Sequence, residues 1–162
     1  VVTAAVARAW KLLAHVMDPE IPVLSVLDLG IVRDVVESPD RRSVEVTVTP
    51  TYSGCPATEV IVTDIRSALA ASYDEIEVHV QLLPPWTTDW MSDTGREALR
   101  ELGIVAPNGR AVLRIAGSDR PDACPQCGSH DVEELAGFGS TPCKALWRCT
   151  SCREPFDYFK VH

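Results

Sequence analysis

The stretch Ser43-Val44-Glu45-Val46-Thr47-Val48-Thr49-Pro50-Thr51-Tyr52-Ser53-Gly54-Cys55-Pro56 decides how the N-terminal part of the chain folds. Val44, Val46 and Val48 alternate with Glu45, Thr47 and Thr49, the period-2 pattern of a half-buried strand. Pro50 to Pro56 read as a loop. Pro56 suits the first position of a helix, where its missing N–H costs nothing. Ile61, Ile65, Ala68 and Leu69 then share one apolar face, which predicts a helix from about Pro56 to Ala71. The stretch is therefore a strand, a loop and a helix start, with a cysteine at the junction.

Reading outward toward the N-terminus, Ser38-Pro39-Asp40 is a turn and Ile31–Val36 a strand, so the two strands form a hairpin. Asp28-Leu29-Gly30 is a turn leading into it. Asp18-Pro19-Glu20-Ile21-Pro22 ends a predicted helix over 3–17, whose apolar stripe is Val6, Trp10, Leu13 and Met17. Toward the C-terminus, Ile76, Val78, Val80 and Leu82 alternate as a third strand. Pro84-Pro85-Trp86-Thr87-Thr88-Asp89-Trp90 cannot be regular structure; its tryptophans could pack under the loop or anchor a partner. Thr94–Leu102 is a helix, with Thr94 and Glu97 at capping-box spacing and Gly103 at the C′ position. Residues 110–115 suggest a short strand and 117–122 a linker. The expected fold is α+β: a small mixed sheet with packed helices over residues 1–117, then a small all-β module over 121–162.

The whole chain has 162 residues and a net charge of −8. That balance argues against nucleic acid, whose binders need cationic surface. No apolar run approaches the roughly 20 residues of a membrane helix. No secretory signal is visible, which points to the cytoplasm, although Val1-Val2-Thr3 lacks a start methionine and a short leader could precede it.

Five of the six cysteines follow residue 120, and four make two C-x-x-C knuckles, Cys124/Cys127 and Cys149/Cys152, with 21 residues between them. Two knuckles joined by a hairpin present four thiolates tetrahedrally, as zinc prefers. About forty residues bury too little to fold without such a staple. Iron in a rubredoxin-like site is the main rival. Apolar stretches at Val132–Leu135, Ala145–Trp147 and Phe156–Val161 supply three strands of a zinc ribbon. Its six acidic and four basic residues favour protein docking over nucleic acid. Cys143 is surplus: a buried small hydrophobe, or an accessory thiol that could ligate a metal or transient cluster. His130 is a weaker substitute ligand.

Cys55 is the lone cysteine before residue 120. Its place at a helix N-terminus predicts a stabilised thiolate, able to act as nucleophile or soft-metal ligand, against the alternative of an inert cap. His15 and His79 are the histidines available as a base, and neither is sequence-local to Cys55. His79 alternates outward on its strand. No hydrolase signature, Gly-rich phosphate loop or H-E-x-x-H motif is present, so catalysis by this chain itself is not indicated. Asp18-Pro19-Glu20 places two carboxylates about a rigid turn, to orient a metal or partner or simply to cap the next turn.

Asp18-Pro19-Glu20-Ile21-Pro22, Asp28-Leu29-Gly30-Ile31-Val32, Thr49-Pro50-Thr51-Tyr52-Ser53-Gly54-Cys55-Pro56 and Pro84-Pro85-Trp86 resemble, in this order, the SufT-like metal–sulfur cluster assembly family over roughly residues 3–105. The appended ribbon, with Phe138-Gly139-Ser140-Thr141-Pro142-Cys143-Lys144 before its second knuckle, resembles that of the PaaD family of phenylacetate degradation. The resemblance implies a role in iron–sulfur cluster maturation, with Cys55 handling a transient cluster and Glu20 and Thr51 near it. It also implies the reductase and oxygenase components of the phenylacetyl-CoA epoxidase, and iron–sulfur assembly proteins, as partners. One cysteine per chain would need a homodimer or another shared ligand to hold a cluster. A stable non-catalytic subunit of the epoxidase is the alternative, and a thiol oxidoreductase using Cys55 and Cys143 a weaker third.

Overall fold

The structure, a computed structural model, describes residues 6–106 and 120–160. The expected strand at 110–115, residues 117–119 of the linker and the first turn of the N-terminal helix lie outside the described residues. The elements are α1 (Val6–Leu13), β1 (Val32–Glu37), β2 (Ser43–Val48), α2 (Ala57–Leu69), β3 (Glu75–Val80), a 3₁₀ turn (Thr88–Trp90), α3 (Asp93–Glu101), β4 (Val132–Ala136), β5 (Lys144–Cys149) and β6 (Pro155–Phe159). They form two three-stranded sheets, ordered β1-β2-β3 and β4-β5-β6. This is the α+β class expected, with a second all-β sheet in the ribbon.

Two compact units divide the chain: Val1–Trp86 with Trp90–Ser92, and Thr87–Asp89 with Asp93–His162. In the first, β1 and β2 are the antiparallel hairpin and β3 runs parallel to β2, with Val44 opposite Ile76 and Val46 opposite Val78. A parallel neighbour cannot be reached by a tight turn, so α2 is the crossover. Val44, Val46 and Val48 are buried, as their alternation required. From α2, Ala57, Ile61, Ile65 and Leu69 are buried. Burying each of the three large side chains stabilises by about 1.5–3 kcal/mol before the entropy of ordering is subtracted.

Two expectations are corrected here. Helix α1 ends at Leu13, and its last turns tighten: His15 N–H bonds Leu12 O at 3.1 Å and Val16 N–H bonds Leu13 O at 3.0 Å. The tightening brings Val16 onto the face of Ala9 and Leu13, so these three are the buried set. Trp10 is half-buried, and Met17 is exposed in a bridge to Ser25. The third strand stops at Val80; Leu82 lies beyond it and is exposed, while Ile76 and Val78 are only half-covered because β3 is an edge strand.

The Asp28-Leu29-Gly30 turn is fastened from several sides. Ser25 and Ser92 hydroxyls donate to Asp28 at 2.6 and 2.7 Å. Burial pushes the Asp28 carboxyl up, but the Ser25 and Ser92 hydroxyls and the Ser25 N–H outweigh it, so the group is held below its ordinary range. Gly30 sits at φ +68°, where a Cβ would lie 2.3 Å from the Trp90 carbonyl oxygen. Trp86 is buried, its Nε1–H bonding Leu29 O at 2.8 Å, and the Arg33 guanidinium lies 3.5 Å from the Trp90 ring centre. Both tryptophans thus have structural employment.

In the second unit, α3 starts at Asp93, which puts Thr94 inside the first turn rather than at the cap. Its other end is the expected glycine stop: Gly103 has φ +74°, its N–H bonds Arg100 O at 2.9 Å and Ile104 N–H bonds Leu99 O at 2.9 Å. Val105 then pairs along β6, bonding Asp157 O and accepting from Phe159 N–H, both at 2.9 Å. The ribbon core is Cys124, Ala145, Trp147, Cys149, Phe156 and Tyr158, with Val105 and Val132 against it.

Candidate functional site: a lone thiol and a four-thiolate centre

Cys55 closes the loop between β2 and α2. Its N–H bonds Tyr52 O at 3.2 Å, and its carbonyl accepts from Thr58 N–H at 3.2 Å. Pro56 has helical dihedrals and serves as the cap of α2. The thiol is half-buried. Burial pushes it up, the Ala57 N–H and Thr58 hydroxyl pull it down, and the Glu20 and Asp18 carboxylates push it up again. The net direction is upward. This corrects the expectation of a stabilised thiolate: the helix terminus acts as predicted, but burial and two carboxylates brought from a distant segment outweigh it.

The carboxylates arrive there through a specific turn. Asp18 is buried, and its Oδ1 accepts from Glu20 N–H at 2.9 Å and Ile21 N–H at 2.8 Å. Asp18 N–H bonds Leu24 O at 2.8 Å. Asp18 therefore fixes the turn that carries Glu20. Thr51 is buried in the loop that ends at Cys55. The histidines are engaged elsewhere: His15 Nδ1 meets Lys11 O at 2.9 Å, and His79, exposed, lies 3.4 Å from Glu77 and 4.0 Å from Glu45. Sequence reading singled out the Asp18-Pro19-Glu20 carboxylates but set Glu20 near Cys55 only through resemblance, and it missed the electrostatic weight of Asp18 on the thiol, which no local pattern announces.

The four paired cysteines converge. The ligand atoms of Cys124, Cys127, Cys149 and Cys152 all lie within 4.8 Å of one another. Cys124 and Cys152 sulfurs are 3.7 Å apart, Cys127 and Cys149 sulfurs 3.5 Å. A tetrahedron with metal–sulfur bonds of about 2.3 Å has edges of about 3.8 Å, whereas a disulfide would be about 2.05 Å. The donor set fits a tetrahedral, sulfur-loving ion. Each knuckle also turns a backbone N–H onto a ligand: Gln126 N–H to Cys124 Sγ and Cys152 N–H to Cys149 Sγ, both 3.4 Å. Gly128, at φ +74°, completes the first knuckle, with its N–H on Cys124 O at 2.9 Å. The Cys152 N–H and its neighbours hold Cys149 down, to about 6.

Cys143 is buried away from this set, its Sγ 3.1 Å from the Thr141 hydroxyl. His130 Nδ1 meets Asp122 O at 2.6 Å. Among the described residues, the four paired cysteines are the one group arranged to hold a metal. No helix among them is long and apolar enough to cross a membrane.

Comparison with known proteins follows the same division. Residues 7–80 match the family described as iron–sulfur cluster assembly protein, and residues 109–160 the PaaD zinc beta ribbon domain. A chain of Escherichia coli K12, named as one of the subunits of a "Putative 1,2-phenylacetyl-CoA epoxidase", is 48% identical over 156 residues, covering 96% of this chain and 92% of that one. The Bacillus subtilis 168 "Fe-S protein maturation auxiliary factor YitW" is 39% identical over 89 residues, covering 54% of this chain and 85% of its own. A crystal structure of a domain of unknown function, DUF59, from Bacillus anthracis superposes with a TM-score of 0.55 at 33% identity, covering 59% of this chain and 92% of that one. The chain belongs to the PaaD family, in which an iron–sulfur cluster assembly domain continues into a zinc ribbon.

Proposed function

We propose that this protein is an iron–sulfur cluster and metal-centre maturation factor for a multicomponent phenylacetyl-CoA epoxidase, acting in the cytoplasm before turnover. The observation that carries the reading is the union, in one chain, of an assembly-family domain with a half-buried thiol beside paired carboxylates and a PaaD-type ribbon. Cys55 is the cluster-handling residue, Glu20 its acidic neighbour and Thr51 part of the loop that presents it. A thiol kept protonated in the resting protein gives up its proton on meeting a metal ion, so loading is coupled to proton release and unloading to proton uptake. This suits a carrier, which must let go. Zinc in the ribbon through Cys124, Cys127, Cys149 and Cys152 is structural, and Cys143 is an accessory thiol within that fold. The clients are the reductase and oxygenase components, and other iron–sulfur assembly proteins supply the metal.

The name of the Escherichia coli relative favours a second reading, a stable non-catalytic subunit that works during turnover. One experiment separates them. Oxygenase and reductase are produced with the wild-type chain, with Cys55→Ser, or without the chain, and purified anaerobically for iron and sulfide analysis. The maturation reading expects iron-poor clients in the last two cases, and mature components that work in vitro without this protein. Activity that rises with added protein to a fixed stoichiometry, at unchanged client iron, supports the subunit reading instead.

A further inference from the structure

The segment between β4 and β5 is built as a rigid display for one aromatic ring. Phe138 is 71% exposed, flanked by Gly137 and Gly139. The loop beneath it is closed by Gly139 N–H on Lys144 O at 2.8 Å and Lys144 N–H on Thr141 O at 3.1 Å. Lys144 is buried, and its Nζ lies 3.4 Å from Asp157, which also accepts from the Ser140 hydroxyl at 3.2 Å. Gly139 fits closely, because a Cβ there would lie 2.8 Å from Asp157 Oδ1 and the carboxylate would have to shift. Lys160 N–H bonds Cys143 O at 3.0 Å, while its Nζ donates to Gly137 O at 3.2 Å and lies 4.3 Å from the Phe138 ring centre. Leu135, at the bulge of β4, is also exposed. An ion pair with a buried lysine, a buried cysteine and a closely fitted glycine thus hold an apolar ring in water.

Resting on the maturation reading above, we propose that Phe138, with Lys160 beside it, is the anchor by which the ribbon docks on a protein component of the epoxidase, seated in an apolar socket with a carboxylate at its rim. The socket's chemistry follows from complementarity to the ring and its ammonium neighbour. The identity of the occupant follows from where the ribbon occurs. The Fe-S maturation relative from Bacillus subtilis matches only 54% of this chain while covering 85% of its own length, whereas the relative named as an epoxidase subunit matches through the ribbon. The part added to the general assembly domain is the part that selects the client. A preorganised aromatic loses little entropy on binding, which is the physical profile of an interface hot spot.

The test measures binding of the full zinc-loaded chain to purified oxygenase and reductase components. Phe138→Ala is expected to weaken binding to one of them at least about tenfold, as an anchor residue does. Phe138→Trp should restore it to near wild type, and Lys160→Glu should weaken it by a smaller factor. Zinc content and the melting of the chain should be unchanged, since the ring is outside the core. Equal binding by Phe138→Ala and wild type, no wild-type binding to either component, or a loss confined to self-association would each overturn the proposal. Client iron is read in parallel with Cys55→Ser. Cys55-dependent iron delivery with Phe138-independent binding removes the docking proposal alone. Phe138-dependent binding with Cys55-independent client iron removes the maturation reading and leaves the docking surface.

Discussion

Cys55 and Cys149 carry the same side chain into opposite surroundings. Cys149 receives backbone N–H groups from its own knuckle and is held down, while Cys55, also next to a helix's N–H groups, is pushed up by burial and by Glu20 and Asp18. In the ribbon four sulfurs converge and backbone N–H groups are turned onto Cys124 and Cys149, so the donor set is built to retain a metal once bound. In the assembly domain burial and the carboxylates oppose the thiolate, so the resting thiol keeps its proton. The difference lies less in the sulfur than in what the chain folds around it.

The largest effect expected on this contrast is loss of the ribbon's metal. Structural zinc in a four-thiolate site contributes about 10–16 kcal/mol that is also folding free energy. Chelation, or Cys149→Ser, should melt β4, β5 and β6 while the β1-β2-β3 sheet keeps its dispersed amide resonances. Because Val105 is hydrogen-bonded along β6, α3 should lose order with the ribbon. Simultaneous collapse of both sheets would break the picture of two separately stabilised regions.

A second, smaller effect sits in the assembly domain. Gly30→Ala forces a side chain into left-handed backbone and onto the Trp90 carbonyl, so a loss of about 3 kcal/mol is expected. Chemical denaturation should show it in the unfolding of the unit that holds β1, β2 and β3, with zinc content intact. A loss under about 1 kcal/mol would mean that the turn relaxes freely.

Smaller again is Tyr73. Burial and a hydrogen bond to Glu37 push its hydroxyl up to about 12. A raised folded-state value means stabilisation that is complete below the unfolded value of about 10 and is lost as pH climbs from there toward 12. Tyr73→Phe should cost about 1 kcal/mol at neutral pH and flatten that alkaline loss. An unchanged alkaline limb assigns the loss to other groups.

The finest test acts on Cys55 itself. Glu20→Gln should lower the pH at which iodoacetamide alkylates the thiol, since one of the charges that raise it is gone. Asp18→Asn should also lower it, through charge and through the turn that carries Glu20. No movement with either variant would leave burial as the whole cause and sharpen the contrast with the ribbon differently.

Much of this was legible in residue order. Val44, Val46 and Val48, the face of Ile61, Ile65 and Leu69, and the glycine at 103 were written as local periodicity and turn chemistry, and the paired knuckles as spacing. Met17 and Leu82 were misread because a period continues in the sequence where the backbone has already changed. The i→i+3 turns after Leu13 moved Val16 inward, and β3 ended two residues before the apolar alternation did.

By itself, then, the sequence determined most of the elements, the hairpin and the four cysteines that converge, because helix and strand periods, turn residues and knuckle spacings are set by short-range geometry. The tertiary structure decided the direction of the Cys55 thiol, because burial raises it most and the carboxylates that add to this come from more than thirty residues away, and both depend on distance in space. It also decided that α3 shares a compact unit with the ribbon and that Phe138 stands in water, since which apolar side chains are covered depends on partners that no local pattern names.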